Sequence, residues 1–453
     1  MSSDASPRSN RTRCYTGGVE PTVSAGVTTG PETAATLVGQ VAVLSAVNML
    51  ARVHPGIVLD LPDTPLLVQS PTGGATLIQA CAQLAAAANP EITMAAAVHE
   101  QDAVLSIGIG ADSPPASVYA GGSRFTARTG GTPQALGQDD STLVGGGMAV
   151  ALAAAYVFRT AIAMPAVVER SISLWTFEET ADTTGPSACG PVDVGDVWII
   201  GAGAVGSGLA WWLRHSGVLG TWTIIDADFV EPSNLNRSLG MFAHHAGLTG
   251  LPAALKAEAA AALIPGARAF PHWWEDWAAT DPASPDVLLP LANERGVRPA
   301  IAAYSHPAVL HASTSPNWTA ELHRHLIGRD DCIACRLPET HAPTFLCATV
   351  PADTDPSSDI PTQGKQDRRD AALPFLSGAA GLHLLAGLLQ LQHGQWNTHQ
   401  QNHWRIWFDN TPPVLSRSQH LCTRACTATA TREVRAAIHA HTRWLALDPD
   451  DPS

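Results

Sequence analysis

Residues 196–237 read DVWIIGAGAVGSGLAWWLRHSGVLGTWTIIDADFVEPSNLNR, and this stretch decides the fold. Val197 to Ile200 is a short apolar run of the kind that forms a buried parallel strand. Gly201, Gly203 and Gly206 follow at G-x-G-x-x-G spacing. A helical pattern runs from Leu209 to His215, and a second apolar run, Trp222 to Ile225, ends in Asp226. Together they form a βαβ unit with a nucleotide fingerprint. The first glycine permits the tight turn, the second lets backbone N–H groups approach a phosphate, and the third lets helix and strand pack closely. The helix N-terminus offers unpaired N–H donors and the positive end of its dipole. Asp226, twenty positions after Gly206, is spaced to accept hydrogen bonds from ribose hydroxyls. The alternative is a plain strand–turn–helix, since glycine spacing alone is a weak signal.

The residues after Asp226 separate the site from a dehydrogenase. Asp226-Ala-Asp228-Phe-Val-Glu-Pro-Ser233-Asn234-Leu-Asn236-Arg237 resembles the D-x-D-x-V-x-x-S-N-L-x-R segment of the ThiF/MoeB-type adenylyltransferases, relatives of the ubiquitin-activating enzymes. A nicotinamide enzyme has no need of an Asn and an Arg on that loop. An enzyme that splits ATP between its α- and β-phosphates does, because charge gathers on the phosphate oxygens.

The resemblance implies an α/β fold: a Rossmann-like ThiF-type adenylation domain, preceded here by a degenerate α/β half. Gly201, Gly203 and Gly206 would cradle ATP, with Asp226 on the ribose and Asp228 a further nucleotide-binding residue. Asn234, Arg237 and Lys256 would hold the phosphates. The stretch between Arg237 and Lys256 is longer than the family leads one to expect, and a surface lysine is the alternative. In the family, the strand matching Asp286–Leu289 is followed by an aspartate that holds Mg²⁺, with an arginine five positions on. Arg298 fits the arginine, so Asn293 stands where the aspartate should be. A neutral amide binds a hard cation more weakly than a carboxylate does. Either Glu294 supplies the charge, or turnover is altered, or the site binds nucleotide without reacting it.

Asp331-Cys332-Ile-Ala-Cys335-Arg336-Leu-Pro-Glu339 resembles the family's C-x-x-C segment, and Cys422 and Cys426 form a second pair. Four thiolates in two near pairs suit a closed tetrahedral Zn²⁺ site. His420 is an alternative ligand, and buried free thiols are the alternative to metal. His323 and His325 share one face of a predicted strand, where a solvated polar face is the commoner outcome. Cys347 precedes a polar stretch, 351–369, that resembles the family's mobile crossover loop, with Lys365, Arg368 and Arg369 in it. In several relatives a cysteine here attacks the adenylate. A thiolate nucleophile needs exposure and nearby positive charge. A structural cysteine is equally compatible.

The order of elements divides the chain. Residues 1–30 read as a flexible tail. In the family an arginine from the partner or the inactive half reaches the phosphates, and Arg8, Arg11 and Arg13 are the candidates. Residues 31–177 read as the degenerate half, with helices at 36–52, 74–88 and 143–162 and strands at 56–61, 103–108 and 117–128. Residues 178–195 are polar and hold Gly and Pro, as a linker does. Residues 196–431 are the adenylation domain, and 432–453 a terminal helix and tail.

Composition bounds the function. The 453 residues suffice for two or three domains. Twenty-six basic against 40 acidic side chains give a net charge of −14, which argues against nucleic acid as the main partner. The longest apolar stretch, 145–165, is interrupted by Tyr156, Arg159 and Thr160, so a membrane span is not expected, and the polar N-terminus is not a secretory signal. The expected location is cytoplasmic. The expected activity is ATP-dependent activation of a C-terminal carboxylate. Its owner would be a small ubiquitin-like or sulfur-carrier protein or a peptide. The expected assembly is a homodimer or an intramolecular pseudo-dimer. A nucleotide-binding scaffold, motivated by Asn293, and a NAD or FAD oxidoreductase are the other readings.

Overall fold

The computed structural model describes residues 13–17, 19–95, 105–137, 143–187, 191–280, 282–292, 297, 301, 306–327, 329–336, 372–395, 400–409, 414–422, 438 and 443–444. Two sheets organise them. The first holds β1 (Ala25–Thr29), β2 (Gly56–Asp60), β3 (Thr93–Ala95), β4 (Leu105–Ile109), β5 (Val118–Ser123), β6 (Thr126–Gly130) and β7 (Arg170–Ser173). The second holds β8 (Val192–Ile200), β9 (Val218–Ile225), β10 (Arg268–Phe270), β11 (Val287–Pro290), β12 (Ala308–Ser315), β13 (Thr319–Leu326), β14 (His403–Trp407) and β15 (Leu415–Ser418).

Both sheets follow one plan. The first runs β3-β2-β1-β4-β5-β6-β7 and the second β10-β9-β8-β11-β12-β13-β14-β15. In each, the first five strands are parallel and the rest continue antiparallel. The helices repeat too. Leu37–Leu50 follows β1 as Ala204–His215 follows β8, and Leu77–Ala88 follows β2 as Lys256–Ala261 follows β9. Val144–Ala161 lies between β6 and β7 as Pro374–Gln392 lies between β13 and β14. The chain is α/β, with a Rossmann-like half preceded by an α/β half of the same topology.

The halves share a core. Val144–Ala161 packs on Leu37–Leu50 and on Pro374–Gln392, which packs in turn on Ala204–His215. These two long helices are the only ones among the described residues long and apolar enough to cross a membrane, and both are mostly buried within the fold. Trp211 donates from Nε1 to Ser45 Oγ (2.9 Å), and Trp212 from Nε1 to Gly378 O (2.8 Å). Both indoles are fully buried with their N–H groups satisfied, so each keeps the apolar gain of a large side chain without a polar penalty.

Several sequence expectations differ in detail. Residues 25–29, inside the stretch read as a tail, form β1, the middle one of the five parallel strands of the first sheet; Ala-Gly-Val-Thr-Thr is fully buried but too small and polar to announce itself. The 117–128 run is two strands, split by a turn at Arg124, whose φ is 53°. Strand β8 begins at Val192, within the segment read as a linker. The helix that carries Lys256 is short, Lys256–Ala261. Ile301 is helical. Gly145 to Gly147 sit in the first turn of Val144–Ala161.

Candidate functional site

The glycine loop leaves the carboxyl end of β8, at the centre of the parallel part of its sheet. Gly201 has φ 101°, and a Cβ there would lie 2.5 Å from Ala292 N. That backbone is held close because Leu291 N and Ala292 N both donate to Ile200 O at 2.7 Å. A Cβ on Gly206 would lie 2.3 Å from Gly201 O, so the helix rests directly on the turn. Gly203 is different. It is the N-cap of Ala204–His215, has no side-chain cap, and a Cβ there would meet nothing within 4 Å among the described residues. The side-chain direction of Gly203 is thus clear of the described residues at a helix N-terminus, the kind of place where unpaired N–H donors receive an anion.

Asp226 stands one residue past β9 and is tied to the loop. Its Oδ2 accepts from Ala202 N (2.6 Å) and its Oδ1 from Asp228 N (2.9 Å). Burial raises its pKa, against the charge of Lys256 and these two hydrogen bonds, which pull it down. Asp228 forms an ion pair with Lys256, Oδ2 to Nζ at 2.6 Å, and Lys256 N donates to Asp228 O (2.8 Å). Lys256 is thus not a loose surface lysine. It is the first residue of its helix and is pinned beside the strand end that carries Asp226.

Pro232–Asn234 is a short 3-10 turn closed by a capping box, in which Asn234 Oδ1 accepts from Glu231 N (2.8 Å). Arg237 is buried; its Nη1 donates to Ser233 O and to Asn236 Oδ1 (3.0 Å). This loop returns to the glycine helix at Gly240, whose Cβ would lie 3.3 Å from Ser207 O. The structure thus brings Gly201–Gly206, Asp226, Asp228 and Lys256 together. The chain that follows the Asn234–Arg237 loop returns to the same helix at Gly240, beside Ser207. Asn293, Glu294 and Arg298 lie outside the described residues, as do Cys347, Lys365, Arg368 and Arg369.

The first half shows what a filled version of the loop looks like. After β1 comes Gly30, then the turn Pro31–Ala34. Asp112 sits over it, with Oδ2 accepting from Glu32 N (2.7 Å) and Thr33 N (3.2 Å) and Oδ1 from Thr33 Oγ1 (2.5 Å). Asp112 stands three positions past the end of β4, as Asn293 stands three past the end of β11. One carboxylate of the chain itself thus takes the donors of the turn that follows β1. Arg8 and Arg11 lie outside the described residues; Arg13 opens the short helix Arg13–Thr16. Tyr15 of that helix packs edge-on against Trp318, 5.4 Å between centroids. Trp318 follows β12 at the same sheet edge from which the glycine loop leaves β8.

The Sγ atoms of Cys332, Cys335 and Cys422 lie within 4.8 Å of one another. Cys332 N donates to Cys422 Sγ (3.1 Å) and Cys335 N to Cys332 Sγ (3.4 Å), contacts that stabilise thiolates. Cys426 and Cys189 lie outside the described residues. His420 turns its Nε2 to Ser418 Oγ (2.9 Å) and stands outside the thiol group. His323 and His325 do share a face, with rings 6.4 Å apart and nearly parallel, but both are buried and not solvated. Glu321, His323 and His403 form a second close group, yet Arg405 already grips the Glu321 carboxylate from Nε (2.8 Å) and Nη2 (3.2 Å). A cation there would face that guanidinium, so the group reads as a charge network.

The sheet plan, the glycine loop and the strand-end acid define a ThiF-type Rossmann fold, and the family comparisons agree. Residues 191–351 match the ThiF family and are a ThiF-family domain; residues 24–175 match the BilD N-terminal domain. The uncharacterized protein y4jF of Sinorhizobium fredii (strain NBRC 101917 / NGR234) is 30% identical over 209 residues, covering 44% of this chain and 38% of that protein. Among solved structures, E. coli MccB with MccA-N7isoASN is 15% identical with a TM-score of 0.36, over 52% of this chain and 66% of MccB. PaaA is 16% identical with a TM-score of 0.34, over 50% of this chain and 64% of PaaA. The chain therefore spans less than two thirds of each of these relatives.

The sequence alone did not point to Arg52, Asp112, Glu321 or His403. A lone arginine closing the apolar helix pattern of 36–52 was the one available signal for Arg52.

Proposed function

We propose that this protein is an ATP-dependent adenylyltransferase that activates a carboxylate as an acyl-adenylate. The carboxylate belongs to the C-terminus of a peptide or of a small ubiquitin-like or sulfur-carrier protein. The observation that supports this most is the contrast between the two glycine loops. At Gly203 a Cβ would meet no described atom within 4 Å and Asp226 stands beside the loop, whereas in the first half Asp112 occupies the donors of the turn that follows β1.

In this reading ATP lies over Gly201–Gly206 with its ribose on Asp226. The triphosphate runs toward Lys256 and the Asn234–Arg237 loop. A carboxylate oxygen attacks the α-phosphorus and forms the new P–O bond. The bond to the β-phosphate bridge breaks, and pyrophosphate leaves with its electron pair. The residues contribute positioning and charge stabilisation, which carry most of the rate in phosphoryl chemistry. The resemblance also brings Mg²⁺, whose expected protein ligand is the neutral Asn293, so no step is assigned to it. A further part of the proposal is attack of the Cys347 thiolate on the acyl carbon of the adenylate, which forms a thioester, breaks the C–O bond to the phosphate and releases AMP. Zn²⁺ fits the three converging thiols, with Cys426 as fourth ligand, and would close the end of the domain without touching the reaction. The first half acts as an intramolecular, nucleotide-free partner.

ATP–pyrophosphate exchange tests the proposal, run with a panel of carriers ending in Gly-Gly and of free peptides. Exchange that depends on one acceptor class supports it. Asn293 favours one second reading, a nucleotide-binding scaffold: ATP binding with no exchange for any acceptor would establish that instead.

A further inference from the structure

Arg52 belongs to the first half but spends its side chain on the second. It follows the apolar helix Leu37–Leu50 and is buried. Its Nη1 donates to Leu235 O, and its Nη2 donates to Leu239 O (3.1 Å) and Met241 O (3.0 Å). Its Nε donates to Asn48 Oδ1 (3.0 Å), and Asn48 Nδ2 donates to Leu239 O as well (3.0 Å). Two residues on, Ala243 N donates to Ala87 O of the first half (2.7 Å).

The segment so held begins directly after Asn234 and carries Asn236 and Arg237. It contains no helix or strand. Within it and to the preceding turn, Arg237 N and Ser238 N both donate to Asn234 O (3.2 and 3.0 Å), and Met241 N donates to Ser238 O (3.0 Å). A guanidinium presents several donors in a fixed plane, so one side chain reaches three carbonyls at once. An ammonium presents a single nitrogen and does not.

We infer that Arg52 is a positioning residue. It sets the shape of the 234–241 loop, so that the first half shapes the triphosphate end of the site in cis without touching nucleotide. This rests on the nucleotide site proposed above. It gives the silent half a task that its own blocked loop leaves open.

The test uses the full chain with Arg52→Lys and Arg52→Met. Affinities for ATP and for AMP are read by displacement of a fluorescent ATP analogue. Amide hydrogen exchange is read alongside. The expected result is an ATP affinity about tenfold or more weaker in both variants, with AMP affinity changed less than about twofold. Amides of 234–241 exchange faster while those of β8 and β9 keep their protection. Arg52→Lys keeps a buried charge and decides the matter if Arg52→Met does not fold. Unchanged ATP affinity with unchanged loop protection overturns the inference. An equal loss for ATP and AMP with loosening of the whole chain also overturns it, since that is what a merely structural residue would give. If the unaltered protein binds no ATP, the nucleotide reading fails, and the exchange pattern of 234–241 alone decides on Arg52.

Discussion

The Asp112 carboxylate closes on Thr33, taking its N–H at 3.2 Å and its hydroxyl at 2.5 Å. Burial pushes its pKa up, but these bonds and the one from Glu32 N outweigh that and hold it below the usual range, so the plug is charged at neutral pH. Asp112→Ala should cost about 1 kcal/mol, the usual worth of a cap, read by denaturant unfolding. Because the first half is blocked, calorimetry on the unaltered protein should show one ATP per chain. Two sites per chain would contradict this.

Glu321 receives hydrogen bonds from His403 and Arg405, and its pKa is strongly lowered by His323, His403 and Arg405 despite the opposing effect of burial. A depressed carboxylate stabilises the fold above its unfolded pKa, about 4.3, and loses that contribution as the pH falls below it. The stability gap between the unaltered protein and Glu321→Gln should be flat above about pH 5 and shrink toward pH 3. A gap that grows on acidification would contradict the assignment.

His383 lies in the centre of Pro374–Gln392, fully buried, with no hydrogen-bond partner for either ring nitrogen among the described residues. Burial lowers its pKa to about 3. The unfolded chain, with a pKa near 6.5, binds the proton first, so this residue's share of stability is lost as the pH falls from about 6.5 toward 3. His383→Leu should raise stability at neutral pH by about 1–3 kcal/mol, the cost of unsatisfied buried polar atoms. The gain should grow as the pH is lowered. A variant less stable at pH 6 would show that the ring has a partner.

For the thiol group the expected finding is one zinc per chain, lost in Cys332→Ser and in Cys422→Ser, with a lower melting temperature in each. Metal analysis decides it. Absence of stoichiometric zinc from protein purified without chelator would remove the metal and leave three reduced thiols.

The βαβ unit was legible because each of its parts has a sequence signature. Val197–Ile200 is a clean apolar run, the glycines are spaced, and Asp226 ends the second strand. The convergence of Cys332, Cys335 and Cys422 was legible in the same way, from the C-x-x-C spacing and the later cysteine pair. What stayed hidden depends on tertiary contact. β1 consists of small and hydroxylated residues whose burial comes from neighbours on both sides, not from their own hydropathy. The role of Arg52 joins residues some 180 positions apart along the chain, and no local pattern encodes that pairing. Asp112 is the same case: its carboxylate reaches back across about 80 residues to Thr33. Lys256 was placed on the right helix, but its ion pair with Asp228 arises from the bridge between Phe229 and Leu255, which periodicity does not show.

The account stands on a triphosphate held over the helix N-terminus at Gly203. ATP affinity of the unaltered protein against Gly203→Val tests it most directly. A Cβ there meets no atom of the described residues within 4 Å, so the variant should fold with an unchanged melting temperature. The account predicts ATP affinity at least about tenfold weaker in the variant. Equal affinity in both proteins, or no ATP binding by the unaltered one, would contradict it.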